Sequence, residues 1–205
     1  MEIKDRILVA AVELFMRNGI RSVSMDDIAT QLAMSKKTLY KWFENKDQIV
    51  HGVMQKYLLS EEVECENVFA TGSNALEEMY NLMHWHKKTL SNVHPSIFFD
   101  LQKYHPQAWA LFEQHKNTFI LSKIIENLRR GISEGVYRAD IDVEVIARIR
   151  LAEIEIIFDP KVFPTREFDL QRIHIACVEH YLAGISSLKG HKLINKYRNV
   201  TEPEA

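Results

Sequence analysis

The chain lacks most of the features that would set it apart from an ordinary reduced globule. Its two cysteines, Cys65 and Cys177, are far apart and follow no ligand spacing, which argues against a disulfide framework and for a cytoplasmic setting. No run approaches the roughly 18 apolar residues that a membrane-spanning helix needs. Lys4, Asp5 and Arg6 interrupt the amino terminus, so it does not read as a signal peptide. Neither sign of charge is in excess: 26 Lys and Arg stand against 28 Asp and Glu, a net charge of −2. A broadly basic nucleic-acid coat is thereby excluded, and any such affinity must come from a local motif. There is no Gly-rich phosphate loop, nucleophile elbow or recognisable triad, so no catalytic residue and no cofactor is assigned, and no enzyme is expected. Five of the nine histidines fall between His84 and His115. His84 and His86 lie about 200° apart around a helix, and no pair there has the four-residue spacing of a helical metal site. No metal site is expected.

Alternating strand patterns are also missing, and helical periodicity takes their place. Residues 3–18 put Ile3, Ile7, Leu8, Ala11, Leu14 and Phe15 on one face, with Gly19 as a C-cap. A longer helix begins near Lys46 and runs to about Phe69. Thr71-Gly72-Ser73 breaks the chain before a helix over about 74–91. His94-Pro95-Ser96 and His105-Pro106 mark two further starts, and a helical segment runs from Pro106 to about Glu134. The last long helix is expected from about Arg166 to Leu188. The fold class is all-α, divided into residues 1–50, residues 51–199 and a frayed tail at 200–205.

Residues 24–46 carry the most chemistry. Ser24 is an N-cap with Asp27 three residues on, and Ile28, Ala29 and Leu32 share one face of the helix that follows. Ala33-Met34 break the run. Ser35 caps a second helix, expected to reach about Phe43, on which Leu39 and Phe43 face inward. Asn45 with Gln48 is a third start signal. From Ser35 to Lys46, the four lysines 36, 37, 41 and 46 oppose one acid, Glu44, a local charge of +3. Lysines neutralise phosphates, Thr38 and the first lysines can reach base edges, and Tyr40 can donate to a phosphate oxygen. Lys46 sits at a helix start, where backbone N–H groups favour an anion. Two short helices, a tight turn and a basic second helix form the layout of a helix-turn-helix.

These residues resemble the DNA-binding domain of TetR-type transcriptional regulators. The resemblance rests on Leu14-Phe15, Gly19, Ser22 to Ala29, Ser35, Thr38-Leu39-Tyr40, Phe43 and Asn45-Lys46. The family commonly has Gly in the turn where this chain has Ala33, so a residue with a side chain must adopt positive φ there or the turn must differ. A second stretch, Gly135-Val136-Tyr137-Arg138 to Asp140-Ile141-Asp142, is similar to the connection before the last two helices of that family. The set expected at double-stranded DNA is Ser24, Met25, Ser35, Lys36, Lys37, Thr38, Tyr40, Lys41, Trp42 and Lys46. The resemblance also implies an amino-terminal three-helix head, a larger helical regulatory and dimerisation domain, and an inducer pocket between its helices.

Residues 143–159 carry two apolar faces where a surface helix normally carries one. Val143, Ala147, Leu151, Ile154 and Phe158 form one. Val145, Ile149, Ala152 and Ile156 form the other. The final long helix is apolar around most of its circumference. A homodimer interface is therefore expected at Val145, Ile149, Ala152, Ile156, Ile173, Val178, Tyr181 and Ile185, and a twofold dimer suits a palindromic operator. Arg150 and Glu153 sit within the apolar arc and are expected to pair, or one of them to meet a ligand. Met79, Met83, Phe98, Phe99, Tyr104, Trp109, Phe112 and Phe119, with Arg150 and Glu153, are the candidate walls of a pocket for a small, largely apolar inducer. Such Met and aromatic stripes also serve as plain core. The function expected is a ligand-released repressor. A helical ligand carrier, or a protein-interaction module with a structural amino-terminal motif, is the alternative.

Overall fold

The computed structural model describes residues 2–198, and the expected frayed tail at 200–205 lies outside the described residues. The chain is helical throughout: α1 (Ile3–Asn18), α2 (Met25–Gln31), α3 (Lys36–Tyr40), α4 (Lys46–Ala70), α5 (Ala75–Leu90), α6 (Ile97–Tyr104), α7 (Pro106–His115), a π-helical turn (Lys116–Ile120), α8 (Leu121–Ser133), α9 (Val143–Ile156), α10 (Leu170–Ile185) and α11 (Leu188–Tyr197). Among the described residues the extended pairing is an isolated bridge between Tyr137 and Ser186.

Two compact units share these helices. The first comprises residues 1–63 and 89–115, the second 64–88 and 116–205. The chain passes from one to the other within α4 and returns near the end of α5. A division at residue 50 separates the helix-turn-helix from everything after it, whereas the compact unit also takes in α6 and α7.

The first unit is built on α1. Its inward face of Ile7, Leu8, Ala11, Leu14 and Phe15 meets Ile28 and Ala29 of α2, Leu39 of α3, and Ile49, Val50 and Met54 of α4. Ile97, Leu101, Ala108 and Phe112 of α6 and α7 complete this core. Polar ties fix the same packing. Buried Asp100 accepts the Arg21 backbone N–H at 3.1 Å and the Ser96 hydroxyl at 3.0 Å. The His94 backbone N–H donates to the Met16 carbonyl at 2.9 Å, and His105 Nδ1 pairs with Asp47 Oδ1 at the start of α4.

The second unit centres on Leu76, Leu128, Val136, Tyr137, Val178 and Leu182. Helix α8 ends in a left-handed Gly135, φ +70°. The Val136 N–H reaches the Gly131 carbonyl at 2.9 Å and the Gly135 N–H reaches that of Ile132 at 3.0 Å, the bond pattern of a Schellman cap. This turn throws Tyr137 back across Gly131, where its hydroxyl proton is shared between the Ala75 carbonyl (3.1 Å) and Asn127 Oδ1 (3.0 Å). Three helices follow, not two. The last long helix stops at Ile185, Ser186 is extended, and Ser187 caps α11 by accepting the Gly190 N–H at 3.2 Å. The expectation of one helix to Leu188 missed this because the Ser186-Ser187 break carries no Gly or Pro, and the pairing of Ser186 with Tyr137 is non-local.

Gly131 is where space decides. A Cβ there would stand 2.0 Å from the Tyr137 ring. Overpacking of this kind costs about 1–3 kcal/mol or more. Gly131→Ala is expected to lower the free energy of unfolding by about 1 kcal/mol or more, read from equilibrium denaturation curves.

Candidate nucleic-acid interface

Helix α2 begins as its sequence dictates. The Asp27 N–H donates to Ser24 Oγ at 3.2 Å, and the Ser24 N–H donates to Asp27 Oδ2 at 2.7 Å, a reciprocal capping box. Hydrogen bonds from the Ser24 hydroxyl and then its backbone N–H hold the Asp27 carboxyl below its usual pKa. At the other end Ala33 has φ +49°. The Met34 N–H bonds to the Ala29 carbonyl and the Ala33 N–H to that of Thr30, both at 3.0 Å, so the turn is a Schellman cap with alanine in the left-handed position. The turn keeps the geometry that Gly would serve, and a side chain is accommodated at the cost of strain.

Ser35 starts α3, accepting the Thr38 N–H at 3.1 Å and sharing a hydrogen bond with the Thr38 hydroxyl at 2.8 Å. Regular helix ends at Tyr40, short of Phe43. The Trp42 and Phe43 N–H groups both turn back to the Leu39 carbonyl, so the last turn tightens. Leu39 and Phe43 are buried, and Lys36, Lys37, Tyr40, Lys41 and Trp42 are exposed on the other side. Lys36 pairs with Asp26 of α2 at 2.5 Å, with both side chains more than half exposed. That hydrogen bond raises its pKa. An exposed pair is weak enough to yield to a phosphate. Lys37 and Lys41 carry no ion pair among the described residues.

Two expected surface residues are placed otherwise. Met25 is 9% exposed and belongs to the core, because the first-turn apolar residue of α2 rotates toward α1 once Ser24 and Asp27 take the outside. Lys46 turns inward. Its ammonium donates to the carbonyls of Ile20 and Arg21 and lies over the Phe15 ring, and burial lowers its pKa. It ties the loop before α2 to the start of α4. Asn45 caps α4 through the Gln48 N–H at 3.0 Å. The ties from Asp100 and His105 to this head were invisible to sequence reasoning, since their partners lie 79 and 58 residues away.

The candidate pocket residues are divided. Phe98, Trp109 and Phe112 stack on one another in the first unit, with ring centres 5.1–5.4 Å apart. Phe99 and Tyr104 are exposed beside them. Met79 and Met83 lie in the core of the second unit. Phe119 is half-buried there under Lys123. The aromatic stripe is thus core in its own unit, and the methionines are core in theirs. A cavity of about 350 Å³ in the second unit has a different lining: Glu66, Phe69, Ala70, Gly72, Glu78, Lys123, Glu126, Asn127 and Arg130. Arg150 does pair with Glu153, at 3.0 Å.

The candidate dimer residues split by helix. On α9, Val145, Ile149 and Ile156 are 52%, 49% and 41% exposed, and Ala152 is exposed between them. On α10, Ile173, Val178, Tyr181 and Ile185 are buried within their own unit. The exposed face of α10 is small and polar instead: Ala176, His180, Ala183 and Gly184. A helix apolar all round does not reveal which face its own core will claim.

Residues 7–53 match the family model of bacterial regulatory proteins, tetR family. Over 185 residues the chain is 23% identical to the HTH-type transcriptional regulator YvaF of Bacillus subtilis, covering 89% of this chain and 95% of that protein. It is 22% identical over 152 residues to the HTH-type transcriptional repressor KstR2 of Mycolicibacterium smegmatis, covering 71% of this chain and 72% of that one. Its fold is similar to that of a putative transcriptional regulator from Saccharomonospora viridis solved in complex with choline, with a TM-score of 0.69 at 18% identity over 90% of this chain and 97% of that one.

The strained turn gives a direct check. Left-handed backbone costs a non-Gly residue about 1–2 kcal/mol, while Gly loses about 0.5–1 kcal/mol of chain entropy. Ala33→Gly is therefore expected to stabilise the protein by up to about 1 kcal/mol, measured as a higher denaturation midpoint with an unchanged slope.

Proposed function

We propose that this chain, a member of the TetR family of bacterial regulatory proteins and so a transcriptional regulator, is a cytoplasmic repressor. It binds a palindromic operator as a homodimer and leaves it when a small, largely apolar ligand is taken up. The observation that carries the DNA-binding half is the face of α3: Lys37, Tyr40, Lys41 and Trp42 exposed on a helix whose Leu39 is fully buried. Lysines on a fixed rod supply the phosphate contacts that position such a helix in the major groove. The exposed Lys36–Asp26 pair adds a third cation that DNA can recruit.

The unpartnered stripe of α9 supports the dimer. Four apolar positions one turn apart on α9, with small residues exposed on α10, match what a twofold four-helix contact needs. A Cβ added at Gly184 would meet nothing within 4 Å, which leaves room for a close partner helix. Release follows if the ligand prefers a conformation in which α4 has shifted and the two heads no longer match the half-site spacing. The complex of the Saccharomonospora protein with choline supports a small-molecule role for this fold.

Two measurements test this. Random-sequence duplex selection with purified protein is expected to return a palindrome. On that site Lys37→Ala with Lys41→Ala is expected to weaken binding at least about tenfold and to lower the salt dependence by about two counterions. A carrier or interaction module would return no common site and be indifferent to the change. Ile149→Glu, which sets a charge in the α9 stripe, is expected to give monomers in sedimentation while the helix content is kept.

A further inference from the structure

The second unit holds a buried polar cluster that its packing does not explain. Arg150 of α9 is 4% exposed. Among the described residues one of its five N–H groups is engaged, by Glu153 Oε2 at 3.0 Å, and its guanidinium carbon lies 5.2 Å from the centre of the Tyr181 ring. His174 of α10 is 6% exposed, and its Nε2 has no hydrogen-bond partner among the described residues. Its ring meets His86 of α5 edge-on, 5.2 Å between centres. Burial, and then the charges of His86 and Arg150, hold its pKa down at about 3, so it is neutral at any working pH.

Two further cations of this unit differ from Arg150. Lys123 is held by both Glu66 and Glu126, and Arg130 by both Glu78 and Glu134. Those pairs close on themselves around the 350 Å³ cavity and ask for nothing more. Arg150 has one acid, and its other donors meet no protein acceptor among the described residues. Its surroundings also change character along α5. Met79 and Met83 are buried on one face, and His86 follows on that same face one turn later. An apolar wall thus ends in the His86 imidazole, against which His174 packs.

We propose that Arg150 and His174 form the head subsite of the effector, that the head is a carboxylate, and that Met79 and Met83 flank its apolar body. This rests on the ligand-released regulator proposed above. A carboxylate fits the fork of a guanidinium and accepts from a neutral imidazole N–H at the same time. Glu153, whose side chain is 22% exposed against 5% for Arg150, is the partner able to leave. It stands in for the effector's carboxylate in the empty protein and competes with it on binding. Its departure acts on α9, where Ala152 and Ile156 of the exposed stripe are its near neighbours in sequence.

The probes are dodecanoate, dodecanol and dodecyltrimethylammonium, each below its micelle concentration. They are titrated into the full-length protein by calorimetry and by the fluorescence of Trp85, whose ring is 4.7 Å from that of His86. Dodecanoate is expected to bind about tenfold or more tightly than dodecanol, the size of one charge-assisted hydrogen bond. Arg150→Met is expected to abolish that preference and leave dodecanol binding little changed. Glu153→Gln is expected to strengthen dodecanoate several-fold and not dodecanol, an opposite sign that a structural brace would not give. The matched pair Arg150→Met with Glu153→Gln is expected to melt no lower than the wild type when no ligand is present. Equal affinities, a preference for the ammonium, no binding of any probe, or a large fall in Tm for the matched pair would each overturn the proposal. Duplex binding is read on the same preparations. A protein that holds its operator but ignores the carboxylate fails this inference alone, whereas one that holds no DNA fails the regulator.

Discussion

Helix α3 has five residues, and a helix of that length does not hold itself in water. What fixes it is the burial of Leu39 and Phe43 against α1 and α4, each contributing about 1.5–3 kcal/mol. Every property proposed for the lysine face depends on that anchorage. Without it Lys37 and Lys41 would be mobile charges, able to attract a polyanion but not to enter a groove in register. The strained alanine at the turn belongs to the same constraint. Ala33 is left-handed because α2 and α3 must both reach one core, and Schellman bonds support it locally.

The head extends beyond the motif that defines it. Asp100, His94 and His105 reach from residues 89–115 to the backbone of Arg21, the carbonyl of Met16 and the carboxylate of Asp47. These ties make α6 and α7 part of the same compact body as the helix-turn-helix. A change arriving along α5 or through the π-helical turn after His115 therefore enters the head at two points in the chain besides α4. Lys46 fits this picture. Its charge is placed where it braces the first loop.

The second unit shows the opposite balance. The Tyr137 hydroxyl and the Asn127 amide are both paired, and the space over Gly131 is filled to the limit that a missing Cβ allows. At Arg150 and His174 part of the hydrogen-bonding capacity has no partner among the described residues. In the effector reading proposed above, the second place, on α9 and α10, is where a ligand's carboxylate completes the pairing.

Much of this was legible in the residues. Caps and periodicity act over three or four positions, so Ser24, Ser35 and Asn45 marked their helix starts, α1 ended where Gly19 said it should, and Ala33 announced its own strain. The exposed stripe of α9 was readable because it is a second apolar face on a helix that has a polar arc to orient it. Tertiary structure decided what such local rules cannot reach. Met25 and Lys46 point inward because of partners elsewhere in the chain. The aromatic residues 98–112 belong to the first core, and Met79 to the second. On α10, apolar nearly all round, packing alone chose Val178 and Tyr181 for the interior and left Ala183 and Gly184 outside. The reason is one of range: hydrogen-bond caps and helical repeat are fixed within a turn, whereas which side of a helix is buried depends on residues the local sequence does not contain.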